Sequence, residues 1–223
     1  MLLLLIIADD FTGALDTGVQ FAAYGAATRV MVKDQVDFAS CDAQVLVVDT
    51  ETRHLPPEKA YQIVEELTRA ACRAGIRYIY KKTDSALRGN IGAELAAVLQ
   101  ASNNRQLPFL PAFPQNGRTT RDGIHYVDGV PVTESPFGVD PFEPVRHARI
   151  TELLAEQTDV PAVSCPPLHE GSPVPEKAGI LVLMLRMNRI WSRPAAVCLP
   201  ERHRRSWQAA RGCSGASPAA WAG

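Results

Sequence analysis

The chain has 223 residues, of which 46% are hydrophobic and 21% charged, with a formal net charge of -1. This composition excludes whole-chain disorder, collagen and coiled coil, and it gives no global electrostatic case for nucleic acid or an anionic membrane. Five scattered cysteines, none in a CxxC pair, point to neither a disulfide framework nor a zinc site, so a reducing cytoplasm is the expected setting.

The opening MLLLLII has no basic leader and stops at Asp9 and Asp10, so it reads as a buried strand, Leu2–Ala8, rather than a signal core. No apolar stretch approaches the ~20 residues of a bilayer span. Residues 13–24 read as a helix stopped by Gly25. Thr28–Val32 and Gln44–Asp49 read as strands. Pro56 and Pro57 open a second helix. In it Ala60, Ile63, Val64, Leu67, Ala70, Ala71 and Ala74 keep the helical period as far as Gly75. Arg77–Tyr80 is a strand, 90–101 a helix and Leu107–Ala112 a strand. Asp128-Gly129 marks a hairpin within Tyr126–Val132, and a proline-rich loop leads to a helix near 149–158. Strands alternating with helices predict an α/β three-layer sandwich with a mainly parallel sheet, a Rossmann-like domain.

The charge is unevenly distributed. Residues 1–182 carry 16 Lys and Arg against 23 Asp and Glu, whereas residues 183–223 carry seven Arg and one acid, Glu201. All three tryptophans fall in this last stretch, which has no clear amphipathic period. Such a tail could bind nucleic acid. The favoured reading is a shifted frame. With codons assumed in part, joining the third base of each codon to the next two across residues 183–192 gives Asp-Ala-Glu-Asn-Glu-Pro-Asp-Leu-Glu. After Gly179–Val182 that continues as a strand, an acidic loop and a helix start. The expected organisation is a domain over 1–170, the start of a link over 171–182, and an out-of-frame tail over 183–223, loosely attached.

In open parallel sheets, ligands bind beyond the carboxyl ends of the strands, and three loops there are rich in polar groups. The first holds Asp9, Asp10, Thr12 and Gly13, with Asp16 a turn further on. Its carboxylates suit a general base or hydroxyl acceptors, although a helix N-cap would also explain an acid there. The second runs Lys81-Lys82-Thr83-Asp84-Ser85-Ala86-Leu87-Arg88-Gly89-Asn90. It gathers cations, an acid and hydroxyls before a helix N-terminus, where an anion is favoured; an internally paired, solvated loop is the alternative. The third, around Gly117, Arg118 and Thr119, offers a turn and another guanidinium. A fourth loop, Asp49–Arg53, reads as an exposed, salt-bridged segment. The five histidines show no metal-ligand spacing and read as surface or loop residues; no metal site is expected. There is no phosphate loop, no G-x-G-x-x-G and no G-x-S-x-G. An aspartyl-phosphatase motif fails because Ala8 stands where the nucleophile would be.

The stretches IADDFTGALDTG, YKKTDSALRGNIGAEL, PAFPQNGRTT and YVDGVPVTESPFGVDPFEPV resemble the four-carbon acid sugar kinase family. The KKTDS-x-LRGN form is closer to the D-threonate and D-erythronate kinases than to the 3-oxo-tetronate kinases. The resemblance implies the sugar-acid half of an ATP-dependent kinase that phosphorylates a terminal hydroxyl. ATP and Mg²⁺ would belong to a C-terminal nucleotide domain absent from this chain, which is expected to bind neither and to be inactive alone. Asp10, or else Asp9, would be the base or hydroxyl orienter. Asp16, Lys82, Asp84, Ser85, Arg88, Asn90, Gly117, Arg118 and Thr119 would bind the substrate. The expected partner is a small-molecule sugar acid, with no membrane and with nucleic acid disfavoured; the oligomeric state is left open.

Overall fold

A computed structural model describes residues 1–166, 176–184 and 195–198. The chain alternates β1 (Leu4–Ala8), α1 (Phe11–Ala23), β2 (Thr28–Val32), β3 (Val45–Asp49), α2 (Pro57–Arg73), β4 (Tyr78–Lys82), α3 (Ile91–Ala101) and β5 (Gln106–Leu110). A small antiparallel sheet follows, of β6 (Arg118–Arg121), β7 (Ile124–Val127) and β8 (Val130–Pro131). Then come α4 (Ile150–Gln157), β9 (Ala162–Ser164), β10 (Gly179–Val182) and β11 (Ala195–Cys198).

The main sheet has the order β2-β3-β1-β4-β11-β5-β10-β9, and every pairing that does not involve β11 is parallel. The central strands are apolar along their whole length because both faces are covered. Leu4 and Ile6 of β1, with Val45 and Val47 of β3, pack against Ala14 of α1. The alternate residues Leu5, Ile7, Leu46 and Val48 face α2 and α3. The result is the expected three-layer α/β sandwich. Gly18 lets α1 sit close on the sheet, since a Cβ there would come within 2.9 Å of Val30. Helix α3 is buried almost all round, between α2 and α4, which explains its lack of a polar face.

The tail departs from expectation in one place. Ala195–Cys198 forms a strand that enters antiparallel between β4 and β5, pairing Ala195 with Lys82 and with Leu110. Four residues are too few to show an amphipathic period. The strand forms through backbone pairing on both sides, which satisfies the inner edges of β4 and β5. The frame change and loose attachment expected for 183–223 otherwise lie outside the described residues.

Candidate functional site

Ala8 ends β1 beside Lys82 at the end of β4, so the first two polar loops leave the sheet as neighbours. Asp10 caps α1, its Oδ1 accepting from Gly13 N at 2.9 Å. A Cβ on Gly13 would lie 2.5 Å from that oxygen and 3.4 Å from Lys82 Nζ. Glycine therefore lets the helix start close on both groups.

Arg53 corrects the reading of the fourth loop. It is only 8% exposed rather than solvated. Its Nε donates to Asp9 Oδ2 at 2.7 Å and its Nη1 to Asp10 Oδ2 at 2.8 Å, and its Nη2 lies 3.9 Å from Asp84 Oδ1. Three acids from two loops converge on one guanidinium. Burial opposes the Arg53 charge, but Asp9, Asp84 and Asp10 outweigh it and raise its pKa. Nothing in the local sequence marked this residue, because its partners lie more than 30 positions away.

Asp84 accepts from Arg88 Nε at 2.7 Å and Nη2 at 3.1 Å. Burial pushes the Asp84 carboxyl up, and the Arg88 bonds with the Arg53 and Arg88 charges hold it below its usual value. Arg88 and Arg118 both lie over the Phe137 ring, at 5.1 and 5.5 Å, so an aromatic of the third motif region links the two guanidiniums. Lys82 is buried, its Nζ donating to Thr83 O at 2.6 Å. Burial lowers its pKa against the pull of Asp9, Asp84 and Asp10.

The sequence-derived residues therefore separate. Asp9, Asp10, Lys82, Asp84 and Arg88 form one cluster, and Arg118 joins it through Phe137. Asn90 ties the Arg53 loop to the start of α3, its Nδ2 donating to Thr52 O, Arg53 O and Leu55 O at 2.8–3.3 Å. Ser85 contributes its carbonyl to His125. Asp16 lies on the exposed side of α1. Gly117 has φ 70 and sits against the Asp128 carboxylate, where a Cβ would clash, so its role is the turn. Thr119 pairs with Tyr126 in the small sheet. Among the described residues, four buried polar atoms at this edge have no hydrogen-bond partner: Asp9 Oδ1, Asp49 Oδ2, Thr83 Oγ1 and Arg118 Nε. A cleft of about 670 Å³ adjoins the cluster, between Arg53, Arg88 and Asn90 on one side and Glu143 to Arg146 on the other. His54 and Glu143 meet across it at 2.6 Å.

His125 is fully buried, against the surface position expected of it. A neutral ring with its proton on Nε2 donates to Ser85 O at 2.8 Å and leaves Nδ1 facing Thr120 Oγ1 at 3.2 Å. Burial lowers its pKa to about 4, against the Ser85 contact. The unfolded chain takes up this proton near pH 6.5 and the folded chain only near 4. The stabilisation is therefore complete above pH 6.5 and is lost as pH falls toward 4, by roughly 3 kcal/mol. His125→Gln, which can still donate but does not titrate, will show a flatter acid limb when urea unfolding is followed from pH 7 to 4. Parallel limbs would contradict this account.

The cluster of paired acids and cations lies at the carboxyl edge of a parallel sheet, where open α/β domains place their ligand sites. The profile of the sugar-binding N-terminal domain family matches residues 4–182, and the chain belongs to that family. The D-threonate kinase of Salmonella typhimurium strain LT2 is 42% identical over 159 residues, covering 71% of this chain and 37% of the relative. The D-erythronate kinase of Heliobacterium modesticaldum is 34% identical over 156 residues, covering 69% and 36%. The chain thus spans little more than a third of the length of these curated relatives. A Bordetella bronchiseptica domain of unknown function, solved with bound citrate as a domain-swapped dimer, superposes with TM-score 0.69. It is 34% identical and is matched over 81% of this chain and 46% of its own. A Salmonella typhimurium LT2 putative tRNA synthase, 22% identical with TM-score 0.76 over 100% of this chain and 56% of its own, shares the fold.

Proposed function

We propose that the chain binds a four-carbon sugar acid, D-threonate or D-erythronate, at the Asp9–Arg53–Asp84–Arg88 cluster, as the acceptor half of an ATP-dependent sugar-acid kinase. The observation that carries this reading is the pairing of hydroxyl-accepting carboxylates with guanidinium donors at one sheet edge. A polyhydroxy carboxylate needs both kinds of group. The kinase relatives and the citrate held by the Bordetella domain support it.

In this reading Arg88, Arg118 and Lys82 take the substrate carboxylate or an incoming phosphate. Asp10, or else Asp9, orients the hydroxyl that is to be phosphorylated and accepts its proton. The orphaned Asp9 Oδ1 and Thr83 Oγ1 supply an acceptor and a hydroxyl at the same edge. ATP would bring the transferable phosphoryl group and its magnesium. Among the described residues no three Asp, Glu, His or Cys side chains are grouped to hold a metal ion. Nor is any helix among them long and apolar enough to cross a membrane.

Titration calorimetry of the 223-residue chain with D-threonate, D-erythronate and citrate tests the binding. Saturable heat with a four-carbon acid is expected, and no heat with either acid would overturn the reading. Incubation with ATP, Mg²⁺ and either acid is expected to give no phosphate ester, because the chain matches little more than a third of the length of the kinase relatives. Robust turnover would refute that part.

A further inference from the structure

Beneath the site lies a buried ion pair that the binding reading does not use. Lys81 is fully buried on the α2–α3 side of β4. Its Nζ donates to Lys82 O at 2.8 Å and Ile7 O at 3.4 Å, joining the ends of β4 and β1. It also lies 2.9 Å from Glu94 Oε2 of α3, and Glu94 is buried as completely. Burial pushes the Glu94 carboxyl up and Lys81 opposes it. Taking two such charges out of water is costly, and a well-packed apolar pair would serve stability as well.

What the pair touches suggests its use. Glu94 Oε1 accepts from Thr52 Oγ1. That hydroxyl lies 2.8 Å from Thr50 Oγ1, which donates to Ala8 O at 2.7 Å. Both threonines are fully buried. Ala8 immediately precedes Asp9, and Thr52 immediately precedes Arg53. Each hydroxyl spends its one proton elsewhere, so the bonded path from the ion pair reaches the Arg53 loop through Thr52 and the Asp9 side through Lys81 and Ile7 O. A second contact, Arg53 N donating to Asp9 O at 3.2 Å, closes the loop between them.

We propose that Glu94, Lys81 and Thr52 are positioning residues. They form a buried row that sets where the Asp9–Arg53 couple stands at the sheet edge. The proposal rests on the reading of that edge as a sugar-acid site. None of the three reaches the cluster's open side, so they act through Asp9 and Arg53. Thr52 is the link, because its hydroxyl joins the Glu94 carboxylate directly to the Arg53 loop.

The test keeps the ion pair intact. Thr52→Val removes the linking hydroxyl and Thr52→Ser restores it. Thr68→Val is the control: Thr68 on α2 is equally buried, but its hydroxyl has no hydrogen-bond partner. In calorimetry with D-threonate and D-erythronate, Thr52→Val will weaken binding about tenfold, while Thr52→Ser and Thr68→Val stay within about twofold of the parent. Heteronuclear NMR supplies a readout that needs no ligand. Solvent exchange of the Arg53 Nε–H, held by Asp9, will speed up in Thr52→Val and not in Thr68→Val. Thermal unfolding confirms that each variant is folded. Parent-like exchange in folded Thr52→Val, or equal acceleration in Thr68→Val, overturns the positioning role. If the parent chain binds neither acid, the binding reading falls and the exchange rates still decide this one.

Discussion

Arg53→Ala will destabilise the domain by about 3–5 kcal/mol, the cost of breaking a buried ion pair and leaving its partners uncompensated. Asp9, only 2% exposed, would lose its hydrogen-bonded guanidinium, and Asp10 and Asp84 would lose a shared counter-charge. Arg53→Lys will recover little, since an ammonium cannot present two donors to two separate carboxylates in the guanidinium geometry. Urea unfolding with an unchanged m-value measures the loss. A loss below about 1 kcal/mol would return Arg53 to the class of exposed salt bridges to which its loop composition assigned it.

Arg88→Ala will weaken binding of D-threonate or D-erythronate by about ten- to a hundredfold, the equivalent of one charge-assisted hydrogen bond. Arg88 gives Nε and one Nη2 proton to Asp84, and a guanidinium has five N–H donors, so three remain for a ligand. Its side chain is partly exposed, whereas that of Arg53 is buried. The stability cost should be smaller than for Arg53→Ala, because Asp84 keeps its neighbour Arg53. Calorimetry on the folded variant decides the matter. Parent-like affinity would move the anion contact to Arg118, whose Nε is buried without a partner.

The fold was legible because its evidence is local. The β-branched run Gln44–Asp49, the helical period after Pro57 and the glycines at 25 and 75 each fix an element without reference to the rest of the chain. The carboxyl-edge position of Asp9, Asp10, Lys82, Asp84 and Arg88 followed from that alternation. What stayed hidden depends on contacts distant in sequence. Arg53 meets Asp9 across 44 positions, Thr52 meets Glu94 across 42, and His125 meets Ser85 across 40. The backbone partners of Asn90 were hidden for the same reason. Beside a charged motif, nothing local shows that its amide will meet the carbonyls of Thr52, Arg53 and Leu55. The strand Ala195–Cys198 was missed because a slot between two strands, not its own pattern, defines it.

The convergence of acids on Arg53 also bears on selectivity. Asp9, Asp10 and Asp84 are matched by Arg53, Arg88 and Lys82, and Arg118 by Asp128 at 3.7 Å, so the cluster arrives largely neutralised. Its long-range field is weak, and a passing anion gains little from charge alone. A ligand must instead exchange with an internal carboxylate while offering hydroxyls to acceptors such as Asp9 Oδ1. Simple anions such as chloride or inorganic phosphate cannot make that trade in full. On the proposed sugar-acid reading, discrimination rests on the pattern of hydroxyls beside the carboxylate, and added salt, which screens only the unpaired part of the charge, should compete poorly for the site.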